Sequence, residues 1–257
     1  MTTTQPIITM NQISQVFKTP NESLQVIEDV NLTINHNEFV CIVGPSGCGK
    51  STLLKMIAGY LSPTYGECLM DGEPIKGPDK SRGVVFQSSL LYPWLTVKKN
   101  IAYGPTVQKI PKSEIEKLTK QYLKEVGLLE FENSYPFELS GGMKQRVSIA
   151  RVLINQPEVI LMDEPFSALD AITRTSMQTM LRRIWKDGKR TIFLITHDIE
   201  EALKLGTRVL VMSKNPGKII YEHQTNYSDK MYQDPSYFPE EDPQFQEDKL
   251  TLLNYIV

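Results

Sequence analysis

The run VGPSGCGKST, residues 43–52, sets glycines around one lysine and follows it with two hydroxyls. The spacing is Gly44, four residues, Gly49, Lys50, Ser51. A phosphate group asks for this arrangement. Glycine lets backbone N–H groups turn inward and approach an anion closely, so Gly44, Pro45, Ser46, Gly47, Cys48 and Gly49 read as a cradle. A helix opening at Lys50 would add the positive end of its dipole. Lys50 can then reach the outer phosphates, with Thr52 beside them, and the Ser51 hydroxyl can ligate Mg2+.

Four further residues stand at the ends of apolar runs. VILMDEP closes on Asp163 and Glu164. In a phosphate-loop protein, an Asp at such a position completes the Mg2+ site, and the following Glu is placed to accept a proton from the attacking water. LITHD ends on His197 in the same way, and GVVFQ on Gln87. Strand ends collect ligands in parallel sheets, which puts His197 near the terminal phosphate. LSGGMKQR supplies a second anion-binding helix end, with Ser140 as N-cap and Gly141 and Gly142 permitting close approach. One phosphate loop already cradles the nucleotide, so this second tip is expected to serve a nucleotide held by another copy of the chain.

Elements must hold these residues in place. Before Gln87 the chain reads as short strands (IITMNQISQVF, VIEDVNLTI, FVCIV, GECLMDGEPI, RGVVFQ) separated by Asn and Gly turns, which suits a partly antiparallel sheet. From about residue 88 to 156 the pattern turns helical. SEIEKLTKQYLKEVG predicts a helix with a Ser113/Glu116 capping box, an apolar face of Ile115, Leu118, Tyr122 and Val126, and a stop at Gly127. EVILMDEP and RTIFLITHD are continuous apolar runs of the kind buried on both faces of a parallel sheet. RVLVM and KIIYEH, joined through NPGK, predict a hairpin. The expected fold is thus an α/β nucleotide-binding core with a helical subdomain inserted after VVFQ. From Thr225 the chain is rich in Tyr, Pro and acids, a composition typical of a solvated extension, yet KLTLLNYIV is apolar enough to dock on its own body or on a partner.

The whole chain sets outer bounds. At 257 residues with 40% hydrophobic content it suits one large domain or two subdomains with a real core. A formal net charge of −2 gives no electrostatic reason to bind nucleic acid. No apolar run reaches membrane-spanning length, and MTTTQP lacks the basic start and apolar stretch of a leader. Cys41, Cys48 and Cys68 show no metal-ligand spacing and read as reduced thiols. Cys48, beside Lys50, is a small residue that fits the loop, although a nearby cation could activate it.

Six segments in order, GPSGCGKST, VVFQ, LSGGMKQR, VILMDEP, SALD and THD, together resemble the ATP-binding subunits of ABC transporters, within residues 7 to about 223. LLYPWLTVKKNIAYG and LSGGM bring the resemblance nearest to the nitrate/sulfonate/taurine importers. Met143 stands where the family often has Gln. The resemblance implies a P-loop NTPase (RecA-like) core over about 1–87 and 157–224, with an antiparallel β subdomain, a helical subdomain over about 88–156, and an extension at 225–257. It also implies Phe17 against adenine, Gln87 joining Ser51 and Asp163 around Mg2+, Lys50, Glu164 and His197 as the catalytic group, and Asp170 linking two sites. Two copies would face head to tail with two ATPs between them. A transmembrane permease would dock beside Gln87, against Tyr92, Pro93 and Trp94. An extracytoplasmic solute-binding protein would act indirectly, and the subunit would lie at the cytoplasmic face of the membrane. Competing readings are an exporter subunit, a non-transport ABC ATPase, which usually carries two cassettes or a long coiled-coil insertion, and a phosphate-loop kinase or GTPase, which has no use for LSGGMKQR.

Overall fold

The computed structural model describes residues 6–18 and 23–256. The opening residues 1–5, which include most of MTTTQP, lie outside them. The chain divides into two compact units, residues 1–79 with 182–257, and residues 80–181.

The first unit takes elements from both ends of the chain. In order these are β1 (Ile8–Lys18), β2 (Ser23–Ile34), β3 (Phe39–Val43), α1 (Lys50–Ile57), β4 (Tyr65–Met70) and β5 (Glu73–Pro74). The second unit holds β6 (Arg82–Val85), α2 (Val97–Val107), α3 (Lys112–Glu125), α4 (Gly141–Leu153) and β7 (Val159–Asp163). The division falls inside α5 (Ala171–Gly188). The first unit then resumes with β8 (Thr191–Ile195), α6 (Ile199–Leu205), β9 (Arg208–Met212), β10 (Ile219–Gln224), α7 (Tyr227–Gln233) and α8 (Pro243–Ile256).

In the first unit, β2, β1, β4 and β5 form an antiparallel sheet in that order. β3 lies between β8 and β9 and runs parallel to both. All five residues of β3 are buried, as are all five of β8 and β9. A strand with neighbours at both edges and cover on both faces has no polar side to show, which explains FVCIV as an unbroken apolar run. β10 pairs antiparallel with β9 and alternates half-buried with exposed residues, so RVLVM–NPGK–KIIYEH does form the expected hairpin. Trp185 closes one end of this core: its ring meets Phe39 edge-on at 6.0 Å, and its Nε1 donates to Asn37 O at 2.8 Å.

The second unit contains more than the expected helical segment. β6 pairs parallel with β7, and α4 packs on β6, so contacts group residues 80–87 and 157–181 with the helices α2–α4. The α3 start also differs from expectation. Its N-cap is Pro111, and Ser113 lies inside the first turn, so no Ser113/Glu116 capping box forms. Proline fixes the φ that a helix start needs, which lets the helix begin two residues early. The buried face is centred elsewhere than expected: Thr119 and Leu123 are the buried residues of α3, with Val126 buried just beyond it, while Ile115, Leu118 and Tyr122 are half-buried and Gly127 has φ +64.

The last segment is folded onto the first unit. Phe245 and Leu252 of α8 are fully buried, and Phe245 meets the buried Tyr227 ring edge-on at 5.1 Å. Tyr227 Oη donates to Asp248 at 2.7 Å, and His223 of β10 lies 3.1 Å from the same carboxylate. Lys249 reaches Glu200 of α6 at 2.6 Å, and Lys204 pairs with Glu240. An apolar face with a ring of ion pairs makes this segment a docked helix pair rather than a solvated extension.

Candidate functional site

In the first unit the loop between β3 and α1 turns on Gly44 (φ +149), Gly47 (φ +77) and Gly49 (φ +104). A Cβ on Gly44 would lie 2.4 Å from Met212 O, so neither the backbone angle nor the space admits another residue. Lys50 opens α1 and is buried, and its Nζ donates to Gly44 O at 2.7 Å and Pro45 O at 2.9 Å. Those bonds hold the ammonium inside the curl of its own loop. Ser46 and Gly47 are exposed, while Ser51 and Thr52 are half-buried. Cys48 is buried, with its Sγ 3.6 Å from Lys50 Nζ, so the neighbouring cation is there but solvent access is not.

The NPGK turn does more than join two strands. Gly217 N donates to Val26 O at 2.9 Å, and Glu28 N donates to Gly217 O at 3.1 Å. A Cβ on Gly217 would meet Cys48 O at 2.0 Å. The hairpin turn is thus pressed against the back of the phosphate loop, a support that the sequence signalled only as a Pro-Gly turn.

His197 lies in the turn after β8 and is exposed. Since β3 and β8 are parallel neighbours with Ile42 opposite Ile195, His197 and the glycine loop leave the sheet at the same edge. Phe17 is on the antiparallel sheet instead, opposite Leu24 and partly exposed.

The second unit gathers another set. Val85 of β6 stands opposite Met162 of β7, so Gln87 and the pair Asp163–Glu164 emerge together. Gln87 Nε2 donates to Glu164 Oε2 at 3.0 Å. Glu164 adopts φ +46, a backbone state that a non-glycine residue enters at some cost. Ser167 secures it, with Oγ donating to Glu164 O at 3.0 Å.

The tip of α4 is built as the sequence suggests. Ser140 Oγ accepts from Met143 N at 3.3 Å, and Ser140 and Gly141 are exposed. A Cβ on Gly142 would sit 3.3 Å from Leu169 and 3.4 Å from Ala168 O, so the tip lies close against the turn that carries Asp170. Asp170 accepts from Thr173 N at 3.0 Å at the start of α5, and hydrogen bonds from Thr173 hold its carboxyl below the usual range.

Sequence reasoning missed how α4 grips the segment after Gln87. Gln145 Nε2 donates to Phe86 O at 3.1 Å, and Arg151 donates to Leu90 O at 2.9 Å and Ser89 O at 3.3 Å. The Arg151 guanidinium also lies 5.4 Å from the centre of the Tyr92 ring. Asn100, fully buried, accepts from Tyr92 N and donates to the carbonyls of Tyr92, Leu95 and Thr96. One helix therefore carries the Ser-Gly-Gly tip and fixes the backbone beyond Gln87. No local signal marked these contacts, since Gln145 and Arg151 read as polar positions of an amphipathic helix. Pro93 and Trp94 are left exposed, Trp94 at 70%.

The family resemblance implies oxygen donors alone for a metal: the Ser51 hydroxyl in the first unit, and the Gln87 amide and the Asp163 carboxylate in the second. Such a hard set suits Mg2+ that also keeps water and phosphate oxygens. Among the described residues, no group of three or more His, Cys, Asp or Glu side chains could hold a metal ion.

A glycine loop between a buried parallel strand and a helix, with acids closing a second such strand, defines a P-loop NTPase fold. The chain belongs to the ABC transporter family, whose model matches residues 27–167. It is 46% identical to the taurine import ATP-binding protein of Roseobacter denitrificans over 223 residues, 86% of this chain and 83% of that protein. It is also 46% identical to the aliphatic sulfonates import ATP-binding protein of Bacillus cereus over 213 residues, 82% of this chain and 83% of that one. A solved structure described as the dimeric post-hydrolysis state of an ATP-binding cassette bound to ADP and Pi superposes with a TM-score of 0.77. It shares 34% identity and covers 84% of this chain and 98% of its own.

Proposed function

We propose that this chain is the ATP-hydrolysing subunit of an importer. It would work as a head-to-tail pair that clasps two ATP molecules and drives a separate transmembrane permease for sulfonate-, taurine- or nitrate-like solutes. The observation that carries the hydrolytic part is the carboxylate of Glu164, closing β7 at φ +46 and hydrogen-bonded at 3.0 Å by Gln87. A strand-end carboxylate fixed in place can take a proton from an attacking water. The import part rests on the two relatives that carry import in their names.

In this reading the glycine loop and Lys50 bind the triphosphate, Phe17 packs on adenine, and Ser140, Gly141 and Gly142 of the second copy close over the outer phosphate. Ser51, Gln87 and Asp163 would hold Mg2+, which would supply positive charge against the phosphates. Glu164 orients the water and accepts its proton, and His197 donates to the outer phosphate. Asp170 links the two sites. Gln87 reports the state of the site to the α4-gripped segment 86–92, where the exposed Trp94 and Pro93 offer the permease an apolar contact. Among the described residues no helix is long and apolar enough to cross a membrane, so the bilayer-spanning part falls to that partner. The subunit would sit peripherally at the cytoplasmic face, with a solute-binding protein on the far side.

Glu164→Gln tests this directly. The variant is expected to bind ATP, lose hydrolysis by more than a hundredfold, and elute as a dimer only when ATP is present. Normal turnover in that variant would overturn the assignment.

A further inference from the structure

β8 ends at Ile195 and α6 begins at Ile199, so Thr196, His197 and Asp198 carry the chain from strand to helix. His197 is exposed, Asp198 is half-buried, and Thr196 is buried at 2% exposure. A buried hydroxyl is hydrogen-bonded as a rule. Here Thr196 Oγ1 accepts from Asp198 N at 3.1 Å. That bond joins the residues on either side of His197 and closes a tight turn with the histidine at its apex.

Both flanks of the turn are anchored within the first unit. Thr196 N donates to Ile42 O at 3.2 Å, which carries the β3–β8 ladder one residue past the end of β8. Asp198 starts α6: its Oδ1 accepts from Glu201 N at 3.1 Å, and its carbonyl accepts from Ala202 N at 3.0 Å. The helix is fixed in turn by its buried Ile199, Ala202, Leu203 and Leu205. The backbone before His197 is thus tied to the strand that leads into the glycine loop, and the backbone after it to a packed helix. Thr196 Oγ1 ties these two flanks to each other.

We propose that Thr196 is a positioning residue for ATP hydrolysis: its hydroxyl holds closed the turn that carries His197, without itself touching the nucleotide. The proposal rests on the role of His197 as donor to the outer phosphate. A closed turn leaves the imidazole few places to stand, and an error of about 1 Å in a reacting group can cost about a hundredfold in rate. Loss of a single hydrogen bond that sets such a position should cost about tenfold.

Kinetics and NMR of the full chain test it. Thr196→Val keeps the shape of the side chain and loses the acceptor, whereas Thr196→Ser keeps the acceptor. Thr196→Val is expected to lower kcat about tenfold at an unchanged KM for ATP, and Thr196→Ser to restore most of it. In a His197→Ala background Thr196→Val should cost nothing further, because it acts through the missing ring. The chain has three histidines, His36, His197 and His223, so the His197 ring signal is identified by its loss in His197→Ala. Thr196→Val should shift or broaden that signal and leave those of His36 and His223 in place. A general loss of folding would instead disturb all three and lower kcat equally in both backgrounds, which would overturn the proposal. Parental turnover in His197→Ala would overturn the role of His197 and the proposal with it. Lost turnover in His197→Ala, beside a Thr196→Val protein with parental kcat and an unmoved His197 signal, would overturn the proposal alone.

Discussion

Replacing Ser140 by Asp separates two roles that the tip of α4 could have. As an N-cap, Ser140 accepts one hydrogen bond from Met143 N at 3.3 Å, a long contact. Losing a cap altogether costs about 0.5–2 kcal/mol, and this one belongs at the low end. Asp caps a helix as well as Ser does, and its charge suits the positive helix end. Folding stability of Ser140→Asp should therefore match the parent within about 0.5 kcal/mol. The effect on ATP is opposite in sign. Ser140 and Gly141 are exposed, so the tip is free to meet a phosphate of the second copy. A carboxylate placed about 4 Å from that phosphate is repelled by about 4 kcal/mol at an effective dielectric constant of 20. That is nearly a thousandfold for each of the two contacts that a head-to-tail pair contains. Urea unfolding, ATP-dependent gel filtration and phosphate release, measured on one preparation, read the three quantities. A stable Ser140→Asp protein that still dimerises on ATP and hydrolyses it at the parental rate would refute the role given to the tip.

Two further outcomes concern the last helices. Phe245→Ala removes a fully buried ring packed against Tyr227 and should lower unfolding free energy by about 3–5 kcal/mol; a loss under about 1 kcal/mol in urea would show that α8 is not docked as described. Burial pushes the Asp248 carboxyl up, but hydrogen bonds from Gln244, Tyr227 and His223, with the charge of His223, hold it below the usual carboxylate range. A carboxyl lowered on folding stabilises the fold above its unfolded pKa, about 3.9, and that contribution fades as pH falls through the folded value. Stability of the parent should thus fall more steeply below about pH 4 than that of Asp248→Asn, and parallel pH curves for the two would count against the cluster.

Much of the core was legible because its strands are buried on both faces. FVCIV, VILMD, TIFLI and RVLVM are apolar without interruption, and each is a strand in the structure. The glycine loop was legible from spacing alone, since left-handed backbone restricts what can stand there. What escaped was long-range. Nothing local marks Gly217 as a neighbour of Cys48 O, because the contact joins residues far apart in the chain. The grip of Gln145 and Arg151 on residues 86–92 is hidden for the same reason, as both look like solvated positions on an amphipathic helix. The docking of α8 depended on whether its apolar residues met a partner surface, which periodicity cannot say. Ser113 was misjudged as a cap because Pro111, two residues earlier, already fixes the helix start.

Mixing two inactive variants tests the two-copy site most directly. Glu164→Gln keeps the Ser140 tip and lacks the carboxylate, while Ser140→Asp keeps the carboxylate and spoils the tip. If each centre draws its loop from one copy and its tip from the other, a mixed pair regains one working centre. Random pairing would restore about a quarter of the parental rate, and the one Asp–phosphate contact that each mixed pair keeps holds the gain below that, to a level that rises with protein concentration. Mixtures that hydrolyse ATP no faster than either variant alone would contradict a centre shared between copies.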